Sequence, residues 1–244
     1  MLKRWIFQAV VAAVAMIGSA TAAKADFIVD TFDVPAPPHI YNISTVGGSA
    51  SFTDSISPGL ITRDTTVTLL SGPNAFAANG QLGDLAGSKM FQMNTAANST
   101  AYASLKYSYS TPQNLSIPGT SVIFTFTFAD LNTPFSVKIT DANSASAIQS
   151  TIATAGPGVY AIPMTGFGGI DLTQVSSIEL VLNQDLTKPV PASTAVTSAD
   201  LTLTDVRISV PYVPAPPAIV LMLAAAPALG LYRAVRRRNS NVTV

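Results

Sequence analysis

Residues Ser121–Ala129 alternate with a period of two: Val122, Phe124, Phe126 and Phe128 fall on one parity, Thr125 and Thr127 on the other. Successive side chains of a strand point to opposite faces, so this run reads as a strand with one strongly apolar face that has to be buried. The same pattern recurs at 65–70, 90–93, 101–109, 135–140, 148–152, 178–182 and 201–210, and helical periodicity is almost missing between 26 and 210. Turn residues lie between the runs, at Gly47-Gly48, Pro58-Gly59, Gly72-Pro73-Asn74, Pro118-Gly119 and Gly156-Pro157-Gly158. Short strands at this spacing predict an all-β sandwich or barrel. A single short helix or turn is expected at 171–176. The last run carries a slip: Leu201 and Leu203 are odd, whereas Val206, Ile208 and Val210 are even. One regular strand cannot bury both sets, so a bulge is expected at Thr204 and Asp205.

The formal net charge of zero conceals a partition. All thirteen acidic residues lie between Asp26 and Asp205, and only six of the thirteen basic residues fall between 26 and 210, a balance of minus seven over that stretch. An acidic, sparsely charged middle is unsuited to nucleic acid, which is excluded as a partner. The other basic residues flank apolar segments at the two ends, where charge sets orientation in a bilayer. With no cysteine the middle must hold together by its own core, and its length is sufficient for one.

Residues 1–25 have the three parts of a secretory signal peptide. Lys3 and Arg4 open it, a mostly apolar stretch of 13 residues runs from Trp5 to Ile17, and small residues end in Ala23-Lys24-Ala25. Cleavage is expected between Ala25 and Asp26, with Ala20-Thr21-Ala22 as the second choice. At the other end Val213-Pro214-Ala215-Pro216-Pro217 breaks regular structure. An apolar run of 15 residues follows from Ala218 to Tyr232, and then come Arg233, Arg236, Arg237 and Arg238. A spanning helix needs about 20 apolar residues. The run is therefore a short transmembrane helix, with its arginines on the cytoplasmic side and the middle of the chain outside the cell.

The order of Pro-rich motif, short apolar helix and terminal arginine cluster over 213–238 resembles the PEP-CTERM sorting signal, with Pro214-Ala215-Pro216 where that family has Pro-Glu-Pro. The resemblance implies an exosortase-like processing enzyme as partner, and a place in the cell envelope, outer surface or extracellular matrix of a Gram-negative bacterium that makes exopolysaccharide. An ordinary membrane anchor is the alternative. The pentapeptide Val-Pro-Ala-Pro-Pro also occurs at 34–38, where no apolar helix follows, so the context carries the resemblance.

A second resemblance covers the middle. Ile170-Asp171-Leu172, Val175 to Ile178 and the closing Leu203-Thr204-Asp205-Val206-Arg207-Ile208 are similar to the last half of a carbohydrate-binding-module-like jelly roll. Phe27-Ile28-Val29-Asp30-Thr31-Phe32-Asp33 is similar to the first strand of such a domain. It implies a jelly-roll-like β-sandwich whose first and last strands pair, with Asp30, Asp33 and Asp205 in position for a structural calcium. Three carboxylates with backbone carbonyls would meet that ion's preference for six to eight oxygens. The competing reading places these aspartates on exposed edge strands.

Catalytic sets are poor. His39, the one histidine, sits after Pro37-Pro38 without a nucleophile elbow. Glu179, the one glutamate, alternates away from Ile178, Leu180 and Leu182, which makes it a solvated strand residue. Tyr107 and Tyr109 share parity with Ala101, Ala103 and Leu105, so they belong to a core or half-buried face; Tyr102 faces the other way and is the exposed ring. The organisation expected is thus a signal peptide at 1–25, a β-sandwich ectodomain at 26–210 and a linker, helix and sorting tail at 211–244. Its role is that of a non-catalytic surface or matrix protein contacting polysaccharide. A calcium-stabilised glycan-binding module on an ordinary anchor is the second reading, and a polysaccharide-active enzyme the last.

Overall fold

In the computed structural model of the protein, the described residues are 25–33, 37–57, 59–72, 77–85, 87–188 and 195–210. The expected signal helix, the transmembrane helix and the sorting-signal residues Pro214, Ala215, Pro216, Arg233 and Arg236 to Arg238 lie outside them. Among the described residues no helix is long and apolar enough to cross a membrane.

Ala25–Val210 forms one compact unit, a sandwich of two antiparallel sheets. The seven-stranded sheet has the order β11 (Gly158–Pro163), β8 (Ser121–Ala129), β13 (Leu201–Val210), β6 (Ser88–Thr95), β5 (Ala78–Leu85), β2 (His39–Ile43). Its remaining strand, β1 (Ala25–Asp30), pairs with β13 in the register Ala25↔Val210 to Asp30↔Val206, next to the short β6 pairing at Leu201–Leu203. The expected pairing of first and last strands is therefore present. The six-stranded sheet has the order β10 (Ser146–Ala153), β9 (Thr133–Asp141), β12 (Val175–Leu182), β7 (Thr100–Gln113), β4 (Ile61–Ser71), β3 (Ser49–Ser57). Residues 171–174 are bends and turns, and the short 3-10 helix lies earlier, at Met164–Gly166.

The core is made by the parity that the sequence marks. Val122, Phe124 and Phe126 meet Val137, Ile139, Leu105 and Leu180 from the opposite sheet, all at most 3% exposed. Phe124, Phe126, Phe135 and Tyr160 form a ring cluster with centroids 5.5 to 5.7 Å apart and tilted or edge-on planes, the arrangement the aromatic quadrupole favours. Tyr107 and Tyr109 point inward at 0% and 8% exposure, and Glu179 points outward.

The slip in β13 is a bulge. Against β8 the register shifts on both sides of Leu203, leaving Thr204 unpaired, so Leu201 and Leu203 are buried together with Val206 and Ile208. The same irregularity corrects the reading of β8. Thr127 is skipped in the ladder, parity reverses, and Ala129 turns inward while Phe128, expected in the core with Phe126, is 48% exposed. Four strands lack the expected pattern: β2 follows two prolines, β3 is Ser- and Thr-rich, β5 contains Gly80 and Gly83, and β11 is short.

Candidate functional site

The inner face of β4 runs Ile61, Arg63, Thr65, Val67, Leu69, an apolar parity interrupted by one guanidinium. Asp54 lies directly opposite on β3 and Tyr107 opposite on β7, so three polar side chains form one row across the six-stranded sheet. The seven-stranded sheet supplies two more, Asp30 at the end of β1 and His39 at the start of β2. Arg63 Nη1 donates to Asp30 Oδ2 at 2.5 Å and Nη2 to Asp54 Oδ2 at 2.8 Å. Tyr107 donates to Asp30 Oδ2 at 3.0 Å, and the Phe32 amide donates to Asp30 Oδ1 at 2.6 Å. His39 Nε2 is 2.8 Å from Asp54 Oδ1, and its ring stacks on Phe52 with centroids 4.5 Å apart. Phe32, at a left-handed φ of 56°, places its ring 5.4 Å from the guanidinium.

Burial pushes the Asp30 carboxyl up, against the opposing pull of the Arg63 charge and the hydrogen bonds from Phe32, Arg63 and Tyr107. Burial also works on Asp54, but hydrogen bonds from Arg63 and His39 prevail and hold it below its ordinary value. For Arg63, burial is outweighed by the Asp30 charge, and its pKa rises further. The network is a structural tie between the sheets. Donors hold Asp54 ionised and fix Asp30 in place on both of its oxygens, and carboxyls so engaged are unsuited to proton transfer.

The three aspartates of the expected calcium set close on different cations. Asp30 holds Arg63, Asp33 holds Lys89 at 2.7 Å and Asp205 holds Arg207 at 3.0 Å. Among the described residues no group of three or more His, Cys, Asp or Glu side chains is placed to hold a metal ion. Glu179 accepts from Ser104 Oγ at 2.6 Å and lies in a cross-strand row of alternating charge, Asp64, Lys106, Glu179, Lys138, on the outer face of the six-stranded sheet. Tyr102 sits on that face, half-buried.

The outer face of the seven-stranded sheet is of another kind. One row across β2, β5, β6, β13 and β8 reads Ile40, Gln81, Gln92, Thr202, Phe128; the neighbouring row reads Asn42, Asn79, Asn94. Neither row contains a charge. Gln92 Nε2 donates to Asn94 Oδ1 and Asn94 Nδ2 to Asn79 Oδ1, both at 3.3 Å, which lines the amides up as a ladder. The first row is about 19 Å long, four strand spacings of about 4.8 Å, and ends in exposed apolar groups, Ile40 at 70% and Phe128 at 48%. An amide offers donor and acceptor together, the pairing that vicinal hydroxyls require. An exposed aromatic face packs against the C–H face of a sugar ring.

No protein-family model and no curated protein matches the chain. Similar solved structures include a family 11 carbohydrate-binding module from Clostridium thermocellum in complex with a β-1,3-1,4-mixed-linked tetrasaccharide, at 13% identity and a TM-score of 0.39 over 78% of this chain and 97% of that one. A family 30 carbohydrate-binding module is 12% identical, with a TM-score of 0.42 over 76% of this chain and 87% of its own. An exo-beta-agarase is 15% identical, with a TM-score of 0.40 over 81% of this chain, which spans 26% of that enzyme's length. Neither ligand nor activity passes to this chain from likenesses of that size.

Sequence reasoning missed Arg63, Asp54 and this amide ladder. The signal for Arg63 was its parity: an arginine in register with Ile61, Val67 and Leu69 cannot be buried without a carboxylate. The amides carried no comparable signal, because β5 has no apolar alternation to show which of its faces is outward.

Proposed function

We propose that the protein is an exported, non-catalytic surface protein whose jelly-roll-like sandwich holds a neutral polysaccharide across the outer face of its seven-stranded sheet. The observation that carries this reading is the uncharged pair Gln81 and Gln92 beside Asn79 and Asn94, in one row with the exposed ring of Phe128. Amides satisfy sugar hydroxyls without desolvating an ion, and a flat strand row suits an extended polymer. The balance of minus seven between residues 26 and 210 disfavours an acidic polymer. The non-catalytic reading is supported by the saturation of Asp30 and Asp54 and by the charged row and the Ser104 hydroxyl that engage Glu179.

The tripartite start and the Pro-Ala-Pro, apolar and arginine order at the end support export followed by PEP-CTERM-like sorting. Intact mass of the protein from the envelope fraction tests this part. Loss of the residues after about Pro216 supports processing by an exosortase-like enzyme, and retention of Arg236 to Arg238 assigns an ordinary anchor. Binding is tested with full-length protein in detergent, by affinity electrophoresis through gels containing neutral or acidic polysaccharides. Retardation by a neutral polymer is expected, weakened about tenfold by Phe128→Ala and by Gln92→Ala, each worth roughly one stacking or hydrogen-bonding contact. Equal mobility in every neutral gel would remove the glycan reading.

A further inference from the structure

Where β1 ends, a cleft of about 550 Å³ opens between the two sheets. One wall is Thr31, the second is Ile56 and Ser57 of the β3–β4 hairpin, and the third is the tail of β7 with Tyr109, Thr111 and Gln113. The volume is typical of small-molecule sites, roughly 300 to 1,000 Å³. No residue of the outer amide rows lines it.

Tyr109 of β7 lines this cleft, and Tyr107 lies two positions before it on the same inward face. The Tyr107 hydroxyl donates to Asp30. The Tyr109 hydroxyl is buried on a residue only 8% exposed and has no hydrogen-bond partner among the described residues. Burial pushes its pKa up, so the group keeps its proton and remains a donor. A buried donor without an acceptor is destabilising unless something else supplies one.

The charges at the cleft say what kind of molecule fits. Asp30 and Asp33 both line it, and among the described residues its lining holds no lysine or arginine to attract an anion. Both carboxylates already hold cations, Arg63 and Lys89, which leaves little attraction for another. The remaining lining alternates apolar groups with neutral hydroxyls and an amide. That combination matches a molecule with a C–H face and a rim of hydroxyls.

We propose that this cleft is a second binding site, separate from the outer face, which takes one neutral sugar residue and meets it with the Tyr109 hydroxyl. The residue comes either as a free monosaccharide or as the end of a chain, and its hydroxyl oxygen accepts from Tyr109. Ser57, Thr111 and Gln113 face its other hydroxyls, and the Tyr109 ring with Ile56 faces its C–H side.

The test is an NMR titration of full-length protein in detergent, carrying ¹³C-labelled tyrosine, with the Tyr109 signal assigned by its loss in Tyr109→Phe. Glucose, galactose, mannose and N-acetylglucosamine form one arm, and their linear oligosaccharides the other. A Tyr109 shift with a monosaccharide assigns a free-sugar site, and a shift with oligosaccharides alone assigns a chain-end site. Tyr109→Phe is expected to weaken that binding about tenfold, the loss of one hydrogen bond, read from the signal of Tyr107 and by calorimetry. Its melting temperature should be equal or higher, because the unpaired hydroxyl is gone. Gln113→Ala, at the rim, provides a second variant and should also weaken binding. Phe128→Ala should leave this titration unchanged even where it abolishes polymer retardation, so the two sites fail independently. A Tyr109 signal unmoved in both arms overturns the proposal, as does wild-type affinity in Tyr109→Phe.

Discussion

The Arg63 guanidinium meets the Asp30 carboxylate between side chains that are 0% and 1% exposed. Arg63 belongs to the six-stranded sheet and Asp30 to the seven-stranded one, so this ion pair crosses the sandwich. Its second arm, on Asp54, makes the guanidinium a fork between two carboxylates. A pair this deep is retained because removing one partner strands the other charge in a poor solvent.

Arg63→Met is accordingly expected to lower unfolding stability by about 3–5 kcal/mol, measured by urea denaturation. Arg63→Lys should recover little, since one ammonium cannot reproduce a planar fork. Lys89→Ala, which breaks the exposed pair with Asp33, should leave the midpoint where it is. Equal losses for Arg63→Met and Lys89→Ala would contradict the placement.

Acid should destabilise the domain through particular aspartates. Burial opposes ionisation of Asp54 and Asp185. The hydrogen bonds of Arg63 and His39 at the first, and of Thr187, Ser150 and Lys188 at the second, nevertheless hold both below the ordinary range. The backbone amides of Asp171, Ala145 and Asn143 do the same for Asp141. A carboxyl whose folded pKa lies below the unfolded value of about 3.9 contributes stability above that value and loses it as pH falls through the folded pKa. Asp30 and Asp200, raised chiefly by burial, act with the opposite sign: their contribution is complete below the unfolded value and disappears as pH rises through the folded one. The urea midpoint should therefore fall below about pH 4, and Asp185→Asn should flatten that limb. An acid limb identical in wild type and Asp185→Asn counts against this assignment.

The parity reversal in β8 separates two phenylalanines two residues apart. Phe126→Ala should cost about 3–5 kcal/mol, as for a buried ring. Phe128→Ala should stay within about 0.5 kcal/mol, as for an exposed one. Comparable losses for the two, by thermal or urea unfolding, would restore the uninterrupted alternation and remove Phe128 from the outer face.

Gly80 is required by a close approach. A Cβ there would lie 2.0 Å from the Gln92 carbonyl oxygen and 2.4 Å from the Tyr41 hydroxyl, which itself donates to that carbonyl at 2.7 Å. Gly80→Ala should cost about 1–3 kcal/mol by overpacking. Tyr41→Phe in the same chain should not relieve it, because the nearer obstacle is backbone. Circular dichroism melts of the single and double variants decide this.

Legibility along the chain followed the strength of the alternation. The bulge at Thr204 could be read because leucines on odd positions and valine and isoleucine on even ones cannot share one side of a regular strand. Tyr107 and Tyr109 could be placed inward by their company with Leu105, and Glu179 outward by its parity. His39–Ile43, Ser49–Ser57, Ala78–Leu85 and Gly158–Pro163 were not read: glycines and amides break the period of Ala78–Leu85, Asp54 interrupts the run of Ala50, Phe52 and Ile56 in Ser49–Ser57, and the other two strands are short. Those weakly patterned strands supply Asn42, Asn79 and Gln81, three of the five amides in the outer rows.

What the sequence determines by itself is local: which segments extend, which side of each is apolar, and that an arginine at 63 must find a buried carboxylate. Those follow from backbone sterics and from the hydrophobic period of single strands, which need no knowledge of neighbours. Which carboxylate it finds, which face of β5 looks outward, and whether Phe128 lies in or out are decided by the tertiary structure. Each depends on the register between strands distant in the chain, and register is set by the packing of two whole sheets against each other.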